Sequence, residues 1–133
     1  MKRKISLNVL CPYCRKSLMD TEMKLNDYPS IKLNIRTTED RGTIHLCSIY
    51  ECYDHISDIE LVKGEVVEVS CPQCNKELLS KEECLECNAP MVSMVLKIGG
   101  RVSICSRYGC PSHFVAFQDI HTELAKFYEE YEP

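Results

Sequence analysis

The sequence predicts a small, metal-bound, β-rich protein: two β-hairpin repeats pinned by cysteine clusters, followed by a C-terminal α-helix. Three observations predict it. Ten of the 133 residues are cysteine, and they fall into close pairs. Four of the five pairs recur at a nearly fixed offset along the chain. Between the pairs run short segments in which apolar and polar residues alternate, the period of a half-buried strand.

The repeat is explicit. Cys11-Pro-Tyr-Cys14-Arg-Lys-Ser-Leu18 matches Cys71-Pro-Gln-Cys74-Asn-Lys-Glu-Leu78 at an offset of 60. Gly42-Thr-Ile-His-Leu-Cys47 through Cys52-Tyr-Asp-His55 matches Gly100-Arg-Val-Ser-Ile-Cys105 through Cys110-Pro-Ser-His113 at an offset of 58. The fifth pair, Cys84/Cys87, has no counterpart in the first half, where Asn26 and Pro29 stand near those places. The expected division is residues 1–62 and 63–133, with the extra C-x2-C and the helix in the second unit. Units of about 60 residues bury little core and need a staple.

Each copy opens with a short strand, Ile5–Val9 or Val66–Val69, that runs into a C-P-x-C turn. A hairpin follows. In the first copy Ile31, Leu33 and Ile35 alternate with Lys32, Asn34 and Arg36, and Thr38–Gly42 turns the chain into Thr43–Cys47. In the second, Val92–Ile98 and Arg101–Cys105 flank Gly99-Gly100, a two-residue hairpin signal. Each returning strand ends in C-x4-C. Ile120, Leu124, Phe127 and Tyr131, spaced four, three and four, make the apolar stripe of a helix that packs on the hairpins or, alternatively, docks on a partner.

The compartment decides how ten cysteines are read. Lys2-Arg3-Lys4 precedes an alternating run too short and too polar for a signal-peptide core, and no stretch of 18 apolar residues exists. A cytoplasmic chain is expected, with reduced thiols that serve as metal ligands. Zinc takes four such ligands in a tetrahedron, and a C-x2-C turn with a second close pair brought back by a hairpin supplies them. The expected ligands are Cys11, Cys14, Cys47, Cys52, Cys71, Cys74, Cys84, Cys87, Cys105 and Cys110. The first site is read as Cys11, Cys14, Cys47 and Cys52. For the second, repeat logic joins Cys71/Cys74 to Cys105/Cys110, whereas loop length joins Cys84/Cys87 to Cys105/Cys110 across 17 residues. A third arrangement joins Cys71/Cys74 to Cys84/Cys87 and leaves Cys105/Cys110 to recruit His113. Two zinc ions are expected, or three if His55 and His113 join the ligand set. Tetrahedral sulfur also suits a rubredoxin-like iron site for electron transfer. Whichever pair is surplus is a candidate for reversible oxidation. His45 and His121 read as ordinary partly exposed residues.

Cys84-Leu-Glu-Cys87-Asn-Ala-Pro-Met-Val92 followed by Gly99-Gly-Arg-Val-Ser-Ile-Cys105-Ser-Arg-Tyr-Gly-Cys110 resembles the zinc ribbons at the C-terminus of bacterial type IA DNA topoisomerases. The resemblance implies ribbon hairpins with Cys84, Cys87, Cys105 and Cys110 as zinc ligands, and it implies contact with single-stranded DNA. Asn88 stands where that family has glycine, and the proline of its C-S-x-Y-P-x-C turn is missing.

Charge and composition exclude much else. Lys and Arg number 16 against 20 Asp and Glu, a net charge of −4, and aromatic residues make up 8%. Single-strand binders want a basic groove with stacking aromatics, which here would fall to Arg15, Lys16, Arg101, Arg107, Tyr50 and Tyr108. Protein binding is the expected role, nucleic-acid binding the alternative, and no membrane contact is expected. No Ser-His-Asp, H-E-x-x-H or phosphate-loop signature occurs, so no catalysis is expected. Cys11-Pro-Tyr-Cys14 is identical to the glutaredoxin tetrapeptide, but it lacks the βαβ context and has a twin at Cys71–Cys74.

Overall fold

The computed structural model describes residues 6–50, 52–110 and 113–116. Among the described residues there are ten strands and no helix. The helix expected from Ile120 to Tyr131 lies outside them. The strands are β1 (Val9–Leu10), β2 (Met19–Leu25), β3 (Tyr28–Arg36), β4 (Arg41–Leu46), β5 (His55–Ser57), β6 (Glu68–Ser70), β7 (Leu79–Glu83), β8 (Pro90–Leu96), β9 (Arg101–Cys105) and β10 (His113–Ala116). The division expected at residues 62 and 63 falls in the connection between β5 and β6.

Both predicted hairpins form. Ile31 to Arg36 pair antiparallel with Leu46 to Arg41, and Met91 to Val95 pair with Cys105 to Arg101. Gly99 and Gly100 turn the second hairpin with φ of 109° and 98°, angles that side chains with a Cβ resist. The inner strands carry the alternation that the sequence announced. Ile31, Leu33 and Ile35 are buried on β3, and Met94 and Leu96 on β8.

Each hairpin grows into a five-stranded sheet, and each sheet borrows a strand from the other half of the chain. One edge of β3 is shared by β2 at one end and β6 at the other: Met19 faces Ile31, while Val69 faces Ile35. One edge of β8 is shared in the same way by β7 and β1, with Leu79 facing Val92 and Val9 facing Leu96. The opening strands of the two copies are thus exchanged. They also hold to their own copy. Leu7 N–H donates to Ser48 O at 2.7 Å, and Val67 N–H donates to Ser106 O at 2.9 Å.

A single core results. Val9 and Val69, Leu18 and Leu78, and Cys11 and Cys71 occupy matching places in it, each no more than 6% exposed. Burying a Val or Leu side chain contributes roughly 1.5–3 kcal/mol, so a core shared by both halves supplies what neither half could alone.

Candidate metal centres

The C-P-x-C segments fold as tight knuckles closed by their own backbone. Cys11 N–H donates to Lys16 O and Arg15 N–H to Cys11 O, both at 3.0 Å. Cys71 with Lys76, and Asn75 with Cys71, repeat that pattern, and Cys84 with Ala89, and Asn88 with Cys84, repeat it again. The residue after the second cysteine is left-handed each time: Arg15 at φ 63°, Asn75 at 63° and Asn88 at 64°. Asparagine tolerates that region better than most side chains. This accounts for Asn88 at the place where the resembling family has glycine.

Two groups of four sulfurs form. Cys11, Cys14, Cys71 and Cys74 make the first, and Cys84, Cys87, Cys105 and Cys110 the second; within each group every sulfur lies within 4.8 Å of the others. Cys11 Sγ is 3.7 Å from Cys74 Sγ, and Cys14 Sγ is 3.8 Å from Cys71 Sγ. In the second group, Cys84 and Cys110 are 3.9 Å apart and Cys87 and Cys105 3.3 Å. A metal–sulfur length of about 2.3 Å gives a tetrahedron edge of about 3.8 Å. The sulfurs therefore stand where a tetrahedral ion would hold them, well beyond the ~2.05 Å of a disulfide. None of the ten cysteines forms a disulfide.

Local electrostatics suit thiolates that have a cation at hand. Tyr13 N–H points at Cys11 Sγ at 3.4 Å, Gln73 N–H at Cys71 Sγ at 3.3 Å and Arg107 N–H at Cys105 Sγ at 3.4 Å. Burial nonetheless pushes the Cys71 and Cys105 thiols up to about 12, against the pull of those backbone donors. Cys87 is held below the ordinary thiol value, chiefly by the backbone N–H of Ala89. A bound cation reverses the burial cost and deprotonates its ligands.

The second group is one of the pairings that the sequence left open, the one favoured by loop length. The first group departs from the expected site. Cys11 and Cys14 meet Cys71 and Cys74, not Cys47 and Cys52. The reason is symmetry: copies related by a pseudo-two-fold bring like surfaces together, so residue i of one copy meets residue j of the other and the reverse. The contacts of Cys11 with Cys74 and of Cys14 with Cys71 have that reciprocal form. The sequence carried a signal for it. The C-P-x-C knuckles are near-identical twins, and only the second copy has the further C-x2-C that would serve its own C-x4-C.

Cys47 and Cys52 belong to neither group. Asn26 Nδ2 donates to both sulfurs, at 3.4 Å each, and to Asp54 Oδ2 at 3.1 Å. His55 is engaged elsewhere: Nε2 lies 3.1 Å from Tyr108 Oη and Nδ1 lies 3.2 Å from Tyr53 O. His45, read from sequence as an ordinary residue, pairs with Asp20 at 3.1 Å. His113 falls on β10. Among protein families, curated proteins and solved structures, nothing matches this chain, so the likeness to topoisomerase ribbons stands on Cys84, Cys87, Cys105, Cys110 and their spacing.

Proposed function

We propose that the protein is a non-catalytic double zinc-ribbon whose two zinc ions are structural, and that it acts by binding another protein, as an adaptor or accessory subunit. The observation that carries the reading is the closure of both cysteine groups. Four sulfurs converge in each, with Cys11, Cys71 and Cys84 at most 1% exposed, and a four-sulfur shell keeps no open position for substrate or water.

Charge supports a protein partner over a nucleic acid. A zinc with four thiolates carries −2, so two of them take the net charge from −4 to about −8. The basic residues available for a phosphate backbone are partly committed. Arg101 pairs with Glu82 at 2.7 Å, and Arg107 Nη1 donates to Gly64 O at 2.7 Å. Exposed apolar side chains suit a protein surface instead. Leu85, at the tip of the second copy's extra knuckle, is fully exposed, and Tyr50, Tyr53 and Ile56 are about half exposed.

Native mass spectrometry with elemental analysis, on protein purified without added metal, tests the first part. Two zinc ions per chain are expected. Iron with visible absorbance would move the protein to electron transfer. Salt-dependent retention of a single-stranded oligonucleotide would overturn the choice of partner.

A further inference from the structure

The structure assigns a third, weaker metal site to Cys47, Cys52 and Asp54, in which the side-chain amide of Asn26 holds the place of the ion. The argument begins with the register. Ile31 faces Leu46 as Val92 faces Ile104, so β3 and β8 correspond at an offset of 61 (31 to 92). By that count Asn26 stands where the second copy has Cys87. Asp27 stands where it has Asn88, and both are left-handed, at φ 72° and 64°. The C-x4-C turn is preserved as well: Cys52 N–H donates to Ile49 O as Cys110 N–H donates to Arg107 O. The first copy therefore keeps half of the tetracysteine site, and its missing knuckle is replaced by the short turn at Asn26-Asp27.

Asparagine is one atom longer than cysteine, so its amide nitrogen reaches past the position of a ligand sulfur toward the centre. There it touches Cys47 Sγ, Cys52 Sγ and Asp54 Oδ2 at 3.4, 3.4 and 3.1 Å. Three acceptors surround a group with only two hydrogens. One of the three is a carboxylate that the second copy lacks, since Ser112 stands at the corresponding place in the sequence. Two sulfurs and a carboxylate face one point, standing wider apart than the sulfurs of either tetracysteine group, and are donors for a borderline-soft divalent cation. To bind one at that point, each ligand atom need close by only about 1 Å, to the ~2.3 Å and ~2.0–2.2 Å of zinc–sulfur and zinc–oxygen bonds. Asn26 and Asp54 are exposed, and a cavity of about 220 Å3 is lined in part by Cys47, Cys52, Tyr53 and Asp54. An ion can reach the site once the amide swings out. Three protein ligands leave a fourth position open, so this ion exchanges where the other two stay fixed.

Anaerobic titration of the reduced, metal-free chain with cobalt(II) alone tests the proposal. The first two equivalents report the tetracysteine groups through intense thiolate-to-metal absorption. A third, weaker equivalent is expected, with about half the charge-transfer intensity per ion because it has two sulfurs, not four. Cys52→Ser and Asp54→Ala each abolish the third equivalent and spare the first two. Asn26→Ala tightens it, and Asn26→Cys tightens it by about 100-fold, because a third thiolate replaces the amide. Saturation at two equivalents with millimolar cobalt would overturn the site, as would a third equivalent indifferent to all four substitutions. Loss of the first two equivalents in the parent chain would instead strike the structural zincs, so the two readings fail separately.

Discussion

Asp20 on β2 shows how a single carboxylate holds its own strand and ties it to β4. Its Oδ1 accepts the backbone N–H groups of Glu22 and Met23 at 3.0 and 3.3 Å, and its Oδ2 meets His45 Nε2 on β4 at 3.1 Å. Partial burial works against its charge, but the Glu22 amide, His45 and the Met23 amide outweigh it, so its pKa lies below the ordinary carboxylate value. A depressed folded-state pKa means that the charged group favours folding above the unfolded pKa, and that this favour is lost as pH falls through the folded one. Asp20→Asn should therefore lower stability by about 0.5–1.5 kcal/mol at neutral pH. The gap to the parent chain should begin to narrow below about pH 4 and close only as pH falls through the lower folded-state pKa. Urea midpoints of the two proteins, compared at neutral and acid pH, measure it; a gap that persists in acid would remove the charge from the account. The cysteines separate as sharply. Cys14→Ser breaks a closed group and should lose one of the two tightly held ions together with several kcal/mol of stability, whereas Cys47→Ser should keep both ions. Metal content after dialysis against a weak chelator distinguishes them.

At the scale of elements, the knuckle depends on its left-handed residue. Asn88→Val places a β-branched side chain at φ 64° and should cost about 1–2 kcal/mol, while Asn88→Gly should be close to neutral. Thermal unfolding of the two variants with metal bound reads the difference. Equal stabilities would mean that the knuckle relaxes away from this geometry. Such elements were legible in the sequence to the extent that a local pattern writes them. The C-x2-C turns, the alternation on β3 and the Gly99-Gly100 turn are all local, and all form. The outer strands β2 and β7 are mostly exposed and carry no clean alternation, so periodicity could not mark them. The second tetracysteine group was legible as one of three arrangements, because only 17 residues separate its pairs. The first was not, because it depends on how two copies face each other. That information resides in no single segment. Asn26 marks a gap in the cysteine pattern, yet only the register of β3 brings its amide to Cys47 and Cys52.

For the whole molecule, the exchange of β1 and β6 and the cysteine group shared between the copies make one prediction together. The chain can be opened between residues 62 and 63, in the connection between β5 and β6, without cutting a strand. Fragments 1–62 and 63–133 produced together should then associate. β1 completes the sheet around β8, β6 completes the one around β3, and Cys11 and Cys14 from one fragment meet Cys71 and Cys74 from the other. The bound ion adds its own free energy to that union, on the order of 10 kcal/mol for structural zinc at neutral pH. Size-exclusion chromatography with metal analysis should show a one-to-one pair carrying two ions. A strong chelator, or Cys74→Ser in the second fragment, should weaken the pair far more than Cys105→Ser, whose group lies wholly within one fragment. Fragments that elute apart with metal bound would show that the halves are separate units. Joint elution with equal sensitivity to both substitutions would show that the exchanged strands hold the molecule together without the shared ion.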